Sequence, residues 1–233
     1  MRIKRFSVAF NPWNIDILFA HELSFNNNAP QWNTVQQQLA AMSPPSKPLS
    51  QTNSMAPFRD DFLKSLYDKH PRAKRVVRFL KAWNRVLMKK ANEPAPGEEH
   101  CISGFFFEML ALLMIENGLI PTILDLSRAL ATCLFAIVNP NRVKPLFFPA
   151  EMAGGDAFSR PAPPNQRQLD DLRRSSSEEA GEGECLVLVD PMAPFNNVAR
   201  RKKKTKEAWE RLEGGAKKFL QFLESKNVRH YEF

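Results

Sequence analysis

The sequence predicts an α+β fold that is mostly α: an N-terminal β-hairpin packed on a C-terminal helical bundle. Three observations lead there. Residues 3–10 and 13–20 alternate roughly apolar and polar on either side of Asn11-Pro12. From Phe58 to Val138 the apolar residues recur at helical spacing. Late in the chain, Leu186-Val-Leu-Val-Asp190-Pro191 is an apolar run that halts at a turn and is followed by a last amphipathic segment.

Residues 3–10 and 13–20 read as two strands joined by turn chemistry. A two-stranded ribbon is marginal alone in water, so it needs a body to pack on. Asp16 stands between Ile15 and Ile17, and strand alternation turns its carboxylate opposite to them. Residues 31–41 read as a short helix and the Pro/Ser-rich 43–57 as a linker, which separates 1–42 from 58–233. After Pro57, Phe58, Phe62, Leu63 and Leu66 share a helical face, with two Asp in the first turn where the dipole favours them. Pro71 suits the first position of the next helix, which extends to about Lys90. There Val76, Phe79, Leu80, Trp83 and Leu87 form an apolar stripe, and Lys74, Arg78, Lys81, Arg85 and Lys89 a basic one. Ile102–Glu116 is apolar nearly all round, which marks a helix buried on several sides. Gly118 ends it, and Pro121 opens another helix to about Val138. Residues 149–184 lose periodicity and read as a disordered insertion. A strand at Cys185–Asp190 follows. The closing helix, Lys204 to Lys226, sets Trp209, Leu212, Ala216, Phe219, Leu220 and Leu223 on one face.

Net charge is +8, but Arg200–Lys206 holds six positive charges in seven residues, so the remainder is only mildly basic. Such a balance attracts polyanions. Phe is used 18 times against 2 Tyr, which favours a packed Phe-rich core over an aromatic recognition surface. The three Cys, at 101, 133 and 185, have neither metal-ligand spacing nor a His cluster, so the expectation is free thiols in a reducing compartment. The longest apolar stretch, Phe105 to Ile115, is broken by Glu108 and falls short of the ~20 residues of a membrane span. The expectation is therefore a cytoplasmic protein without a membrane partner, with the 200–206 run a phosphate-binding patch, a nuclear localisation signal that would add a nuclear location, or a solvated loop.

Three segments, in order, carry a resemblance: Trp13-Asn-Ile-Asp16-Ile-Leu-Phe-Ala20, Arg75-Val-Val-Arg-Phe-Leu-Lys81-Ala-Trp83, and Asp190-Pro191-x-x-Pro194-x-Asn196-Asn197-Val198. Together they resemble the second half of nucleotidyltransferases of the 2'-5'-oligoadenylate synthetase and cyclic GMP-AMP synthase type. The likeness covers roughly residues 3–20, 58–138 and 185–224. It implies that 1–42 is part of the palm and 58–233 a helical lobe like the synthetase C-terminal one. It implies nucleotide joining from ATP with Mg²⁺, often controlled by double-stranded RNA or other nucleic acid. A zinc-ribbon Cys/His set is missing from the sequence, so the synthetase-like branch fits better.

By that resemblance Asp16 is the third catalytic, metal-binding carboxylate. The family's first two belong to a Gly-Ser loop and an Asp-x-Asp or Glu-x-Asp strand before the hairpin, and this sequence has neither. Two Mg²⁺ about 3.5–4 Å apart usually take three carboxylates, so the chain is expected to be inactive alone. Lys81 matches the family lysine on the nucleotide's phosphates; an ammonium in a cleft pairs with triphosphate as a point charge. It is equally one cation of a solvated stripe. Cys101-Ile-Ser103-Gly104-Phe105-Phe-Phe-Glu108 resembles the family's Ser-Tyr-x-x-Glu helix start, with Ser103 one place further from Glu108 and Phe105 in place of Tyr. The resemblance puts Ser103 on phosphate or base and Phe105 against the base; a capping Ser before core Phe residues is the other reading. Glu108, in an apolar helix, requires a polar partner if buried. The Asp190–Val198 motif is assigned a structural role: a capped turn that launches the last helix. The rival to nucleotide binding is a non-catalytic nucleic-acid module using Lys74, Arg78, Arg85 and Lys89 with Arg200, Arg201, Lys202 and Lys203.

Overall fold

The structure is a computed structural model and describes residues 6–10, 13–17, 56–89, 102–121, 125–148, 164–180, 185–191, 193–201 and 205–232. The expected helix at 31–41 and the linker up to residue 55 lie outside them. Within them the chain is α+β and mostly helical, with two small two-stranded sheets. It divides into two compact units. The smaller comprises 1–63, 150–162 and 191–193, and the larger 64–149, 163–190 and 194–233.

In the smaller unit, β1 (Phe6–Phe10) and β2 (Trp13–Ile17) pair antiparallel, with Ser7 opposite Asp16 and Val8 opposite Ile15. Helix α1 (Ala56–Lys69) starts two residues earlier than its apolar face suggested, so Asp60 and Asp61 fall beyond its first turn. Its last residues belong to the larger unit.

The larger unit is built around α3 (Gly104–Glu116), in which every residue from Met109 to Ile115 is buried. A helix without a polar face is stable only when sheathed. α2 (Ala73–Lys89) and α4 (Leu126–Val138) pack on it, and Phe106 meets Trp209 of α6 (Lys206–Ser225) edge to face at 5.1 Å. α4 and α6 share the largest helix–helix contact. The tail beyond α6 lies along α4: Tyr231 N–H donates to Thr132 Oγ1 at 2.9 Å, and His230 stacks on Phe135.

Local signals account for the helix ends. Gly118 has φ +73° and closes α3: Leu119 N–H bonds Met114 O at 2.9 Å and Gly118 N–H bonds Ile115 O at 3.0 Å. Asn227, at φ 60°, ends α6 the same way, through Val228 N–H to Leu223 O. α4 starts at Leu126 rather than at Pro121, because the Asp125 carboxylate caps Ser127 and Arg128 N–H at 2.9 and 3.3 Å. At the far end of α3, Glu116 faces an unfavourable dipole, and Lys69 and His70 supply its partners.

Two expectations are corrected. Residues Gln166–Ala180 form helix α5 inside the stretch read as disordered. Its start is a reciprocal cap: Gln168 N–H donates to Asn165 Oδ1 at 2.9 Å, and Asn165 N–H to Gln168 Oε1 at 2.8 Å. Leu169 and Leu172 then pack with Val187, Val189 and Phe147, a stripe too thin to register as periodicity. The buried face of α2 is also rotated from the expected stripe. Ala73, Val76, Val77, Leu80, Asn84 and Met88 are buried, whereas Phe79 is 39% exposed and Trp83 and Leu87 only half-buried. Phe79 turns to α6 instead, its ring stacked on Phe219 at 5.7 Å.

The Asp190–Val198 motif is structural. Leu146 pairs with the 185–190 run by Leu146 N–H to Val187 O and Val189 N–H to Leu146 O, while β3 (Val189–Asp190) pairs with β4 (Ala193–Asn197). Asn197 is buried, and its Oδ1 accepts from Leu188 N–H at 2.9 Å and Ala199 N–H at 3.0 Å. Its Nδ2 donates to Ser176 Oγ at 2.9 Å and Leu186 O at 3.0 Å. Asp190 accepts from Asn196 Nδ2 at 3.3 Å. One side chain thus ties α5, the strand and the approach to α6. Asn197→Ala orphans several buried groups. It is expected to cost about 3 kcal/mol and lower Tm by roughly 6–12 °C. A thermal melt within 2 °C of wild type, on a scale of about 2–4 °C per kcal/mol, would refute that role.

Candidate functional site

Residues selected from two separate segments meet at the N-terminal end of α3. Lys81 reaches across from α2, and its Nζ donates to Glu108 Oε1 at 2.6 Å. A Cβ on Gly104 would lie 3.2 Å from Lys81 Cε, so the absence of a side chain there makes room for the lysine. Ser103 is the N-cap, its Oγ accepting from Phe105 N–H at 3.3 Å. Phe105 is half-buried on the first turn. Beneath Lys81 on α2, Asn84 is buried and donates Nδ2 to Ile102 O at 3.3 Å, which holds the entry to α3 against α2.

Glu108 has the partners its apolar helix demands, and one of them comes from α1. The Tyr67 hydroxyl donates to Glu108. Burial, then the charge of Glu108 and that hydrogen bond, raises the Tyr67 pKa above the ordinary tyrosine range. Tyr67 was not among the residues selected from sequence. The signal available was Glu108 itself, a carboxylate that had to recruit partners from other helices.

The arrangement holds a cation beside the positive end of a helix dipole, braced from behind by a carboxylate. Lys81 is 32% exposed, and an ammonium has three donors, of which Glu108 takes one. A helix N-terminus with a neighbouring lysine favours an anion.

The other selected residues are distributed as follows. Asp16 is on β2 in the smaller unit, and its side chain is outside the described structure. Among the described residues no three His, Cys, Asp or Glu side chains gather to hold a metal ion, so no step through Mg²⁺ is derived. Lys74, Arg78 and Arg85 are exposed on α2 with Arg75, and none pairs with a carboxylate among the described residues. Lys74 lies over the Tyr67 ring at 5.6 Å. Lys89 ends α2, its side chain outside what is described, as are Lys202 and Lys203. Arg200 is half-buried. Arg201 turns inward, over the Trp209 ring at 5.1 Å and ion-paired with Glu213. Its packing at the start of α6 separates it from the solvated run the sequence suggested.

Cys133 is fully enclosed, which pushes its thiol up to about 12, and burial also raises that of Cys185. Neither is a reactive thiolate. Among the described residues no helix is long and apolar enough to cross a membrane. No protein-family model matches the chain, and no curated protein matches it.

A pH dependence follows from Tyr67 and Cys133. Both have folded-state values above their ordinary 10.0 and 9.0, so the fold favours their neutral forms. Their stabilisation is complete below those values and is lost as pH rises past them, because the unfolded chain then releases protons the folded one retains. The urea midpoint of wild type should fall above pH 9 and more steeply above pH 10. Tyr67→Phe should flatten the upper part of that profile; an unaltered upper limb would contradict the assignment.

Proposed function

We propose that the chain is a nucleotidyltransferase-like protein of the oligoadenylate synthetase type, whose helical unit binds a nucleoside triphosphate at the Lys81–Ser103 junction. In this reading the donor is ATP, Mg²⁺ accompanies its phosphates, and β1–β2 is the remnant of the palm sheet. What carries it is the convergence of Lys81 with Ser103, Gly104 and Phe105, residues chosen from separate segments for their likeness to a nucleotide site. The phosphates meet the ammonium and the α3 N-terminus, and the base lies against Phe105. A single Asp16 does not hold two metal ions, so the proposal is binding without transfer.

A second reading has its own support. The outer face of α2 presents Lys74, Arg75, Arg78 and Arg85 without carboxylate partners among the described residues, and α2 itself contains no acid. Such a face suits the phosphates of a nucleic acid.

Titration with a fluorescent ATP analogue and Mg²⁺ tests the first reading. Lys81→Ala should weaken binding about ten- to hundredfold, the worth of a charge-assisted hydrogen bond. Gly104→Ala should fold normally, since only the flexible end of Lys81 must move, yet bind several-fold more weakly. Equal affinity of Lys81→Ala and wild type would sink the nucleotide site. For the second reading, Arg78→Gln with Arg85→Gln should reduce the salt slope of nucleic-acid binding by about two. No binding at low salt removes it.

A further inference from the structure

Building on the second reading, we infer that the nucleic acid held by α2 is single-stranded and that its bases stack on a row of phenylalanines beside the cations.

The row is formed where α2 and α6 pack together. At Gly215 of α6 an added Cβ would fall 2.7 Å from Leu87 Cδ2 of α2. Phe79 and Phe219 stack at 5.7 Å with planes 27° apart, and Phe219 and Phe222 at 6.3 Å and 27°. The outer rings are open to solvent, Phe79 39% and Phe222 55% exposed, with Val86 at 58%. Three rings in succession, each tilted 27° from the next and the outer two partly exposed, form a stacking platform, against the expectation that Phe here serves the core.

The charge around the row selects the occupant. Arg75 precedes Phe79 by one turn, and Arg78 adjoins it, both exposed. On α6, Lys218 stands one turn before Phe222, and the Lys226 ammonium lies over the Phe222 ring at 5.8 Å. The acids in the first half of α6 are ion-paired: Glu207 with Arg211, Glu210 with Lys206, and Glu213 with Arg201. Glu224 projects from the opposite side, two residues and about 200° from Phe222. Aromatic rings flanked by cations that have no carboxylate partner among the described residues match a chain that offers base faces and phosphates together. A duplex hides its base faces within the stack, so it would use the cations and leave the rings idle.

The test is fluorescence anisotropy with a labelled oligo(U) and a duplex of equal length, on the full chain, across a salt series. Phe222→Ala should weaken single-strand binding roughly five- to hundredfold and leave duplex binding and the salt slope unchanged. Phe222→Trp should retain or tighten it. Phe222 is more than half exposed, so folding is preserved; Phe79→Ala, verified by its melt, supplies the second arm. Wild-type affinity in both Ala variants, or a duplex bound as tightly as the single strand, overturns the inference while the basic face of α2 stands. Binding of neither nucleic acid at low salt overturns both. If Phe222→Ala instead disperses a self-associated form in sedimentation with oligo(U) affinity intact, a second copy covers the row and the inference fails.

Discussion

An α-helix with no polar face cannot stand in water, and α3 is such a helix. From Phe106 to Ile115 only Glu108 escapes full burial. Burying a Leu, Phe or Met side chain contributes roughly 1.5–3 kcal/mol each, so the free energy of the larger unit is concentrated on this element. Of the surrounding helices, α2 and α6 each present one apolar side inward, while α4 is buried nearly all round from Ala129 to Leu134 and is covered in turn by the tail after Asn227. The ends of α3 are fastened too: Ser103 and Asn84 hold its entry, Gly118 its exit, and Glu116 meets Lys69 and His70.

Enclosing α3 creates the polar chemistry of the unit. Glu108 lies within the sheathed helix yet finds polar partners in Lys81 and Tyr67, each from a different helix. The ion pair is partly exposed, so its worth as a stabiliser is modest. Its greater effect is geometric. It holds the ammonium over Gly104, at the mouth of α3, where a solvated lysine would otherwise sample many rotamers. The residues that make the site are thus the residues that solve a burial problem.

A second anchor works with hydrogen bonds. Asn197 satisfies backbone groups on both sides of the turn and reaches Ser176 of α5. Because its environment is buried, each of these bonds is costly to lose. Further along, α6 brings Trp209 to Phe106 and the Phe219–Phe222 pair to Phe79.

Local chemistry was legible in the residues themselves. Helical spacing located α1 to α4 and α6, Gly118 marked a helix end, and the Asp190–Asn197 segment read as a structural turn. These depend on neighbours within a few positions, where backbone sterics and capping decide the outcome. Helix α5 was not read from the sequence: the structure shows its cap at Asn165 and Gln168, and two leucines do not make a visible period. The need of Glu108 for a partner was readable, whereas the identity of Lys81 and Tyr67 as those partners was not. Which of the apolar residues on α2 would face inward was also undetermined. Both outcomes turn on how helices distant in sequence approach one another, where side-chain volume at the contact counts, as at Gly215, whose added Cβ would fall 2.7 Å from Leu87 Cδ2. Periodicity tells a helix that it has an inside; only the packed neighbours choose which side chains fill it.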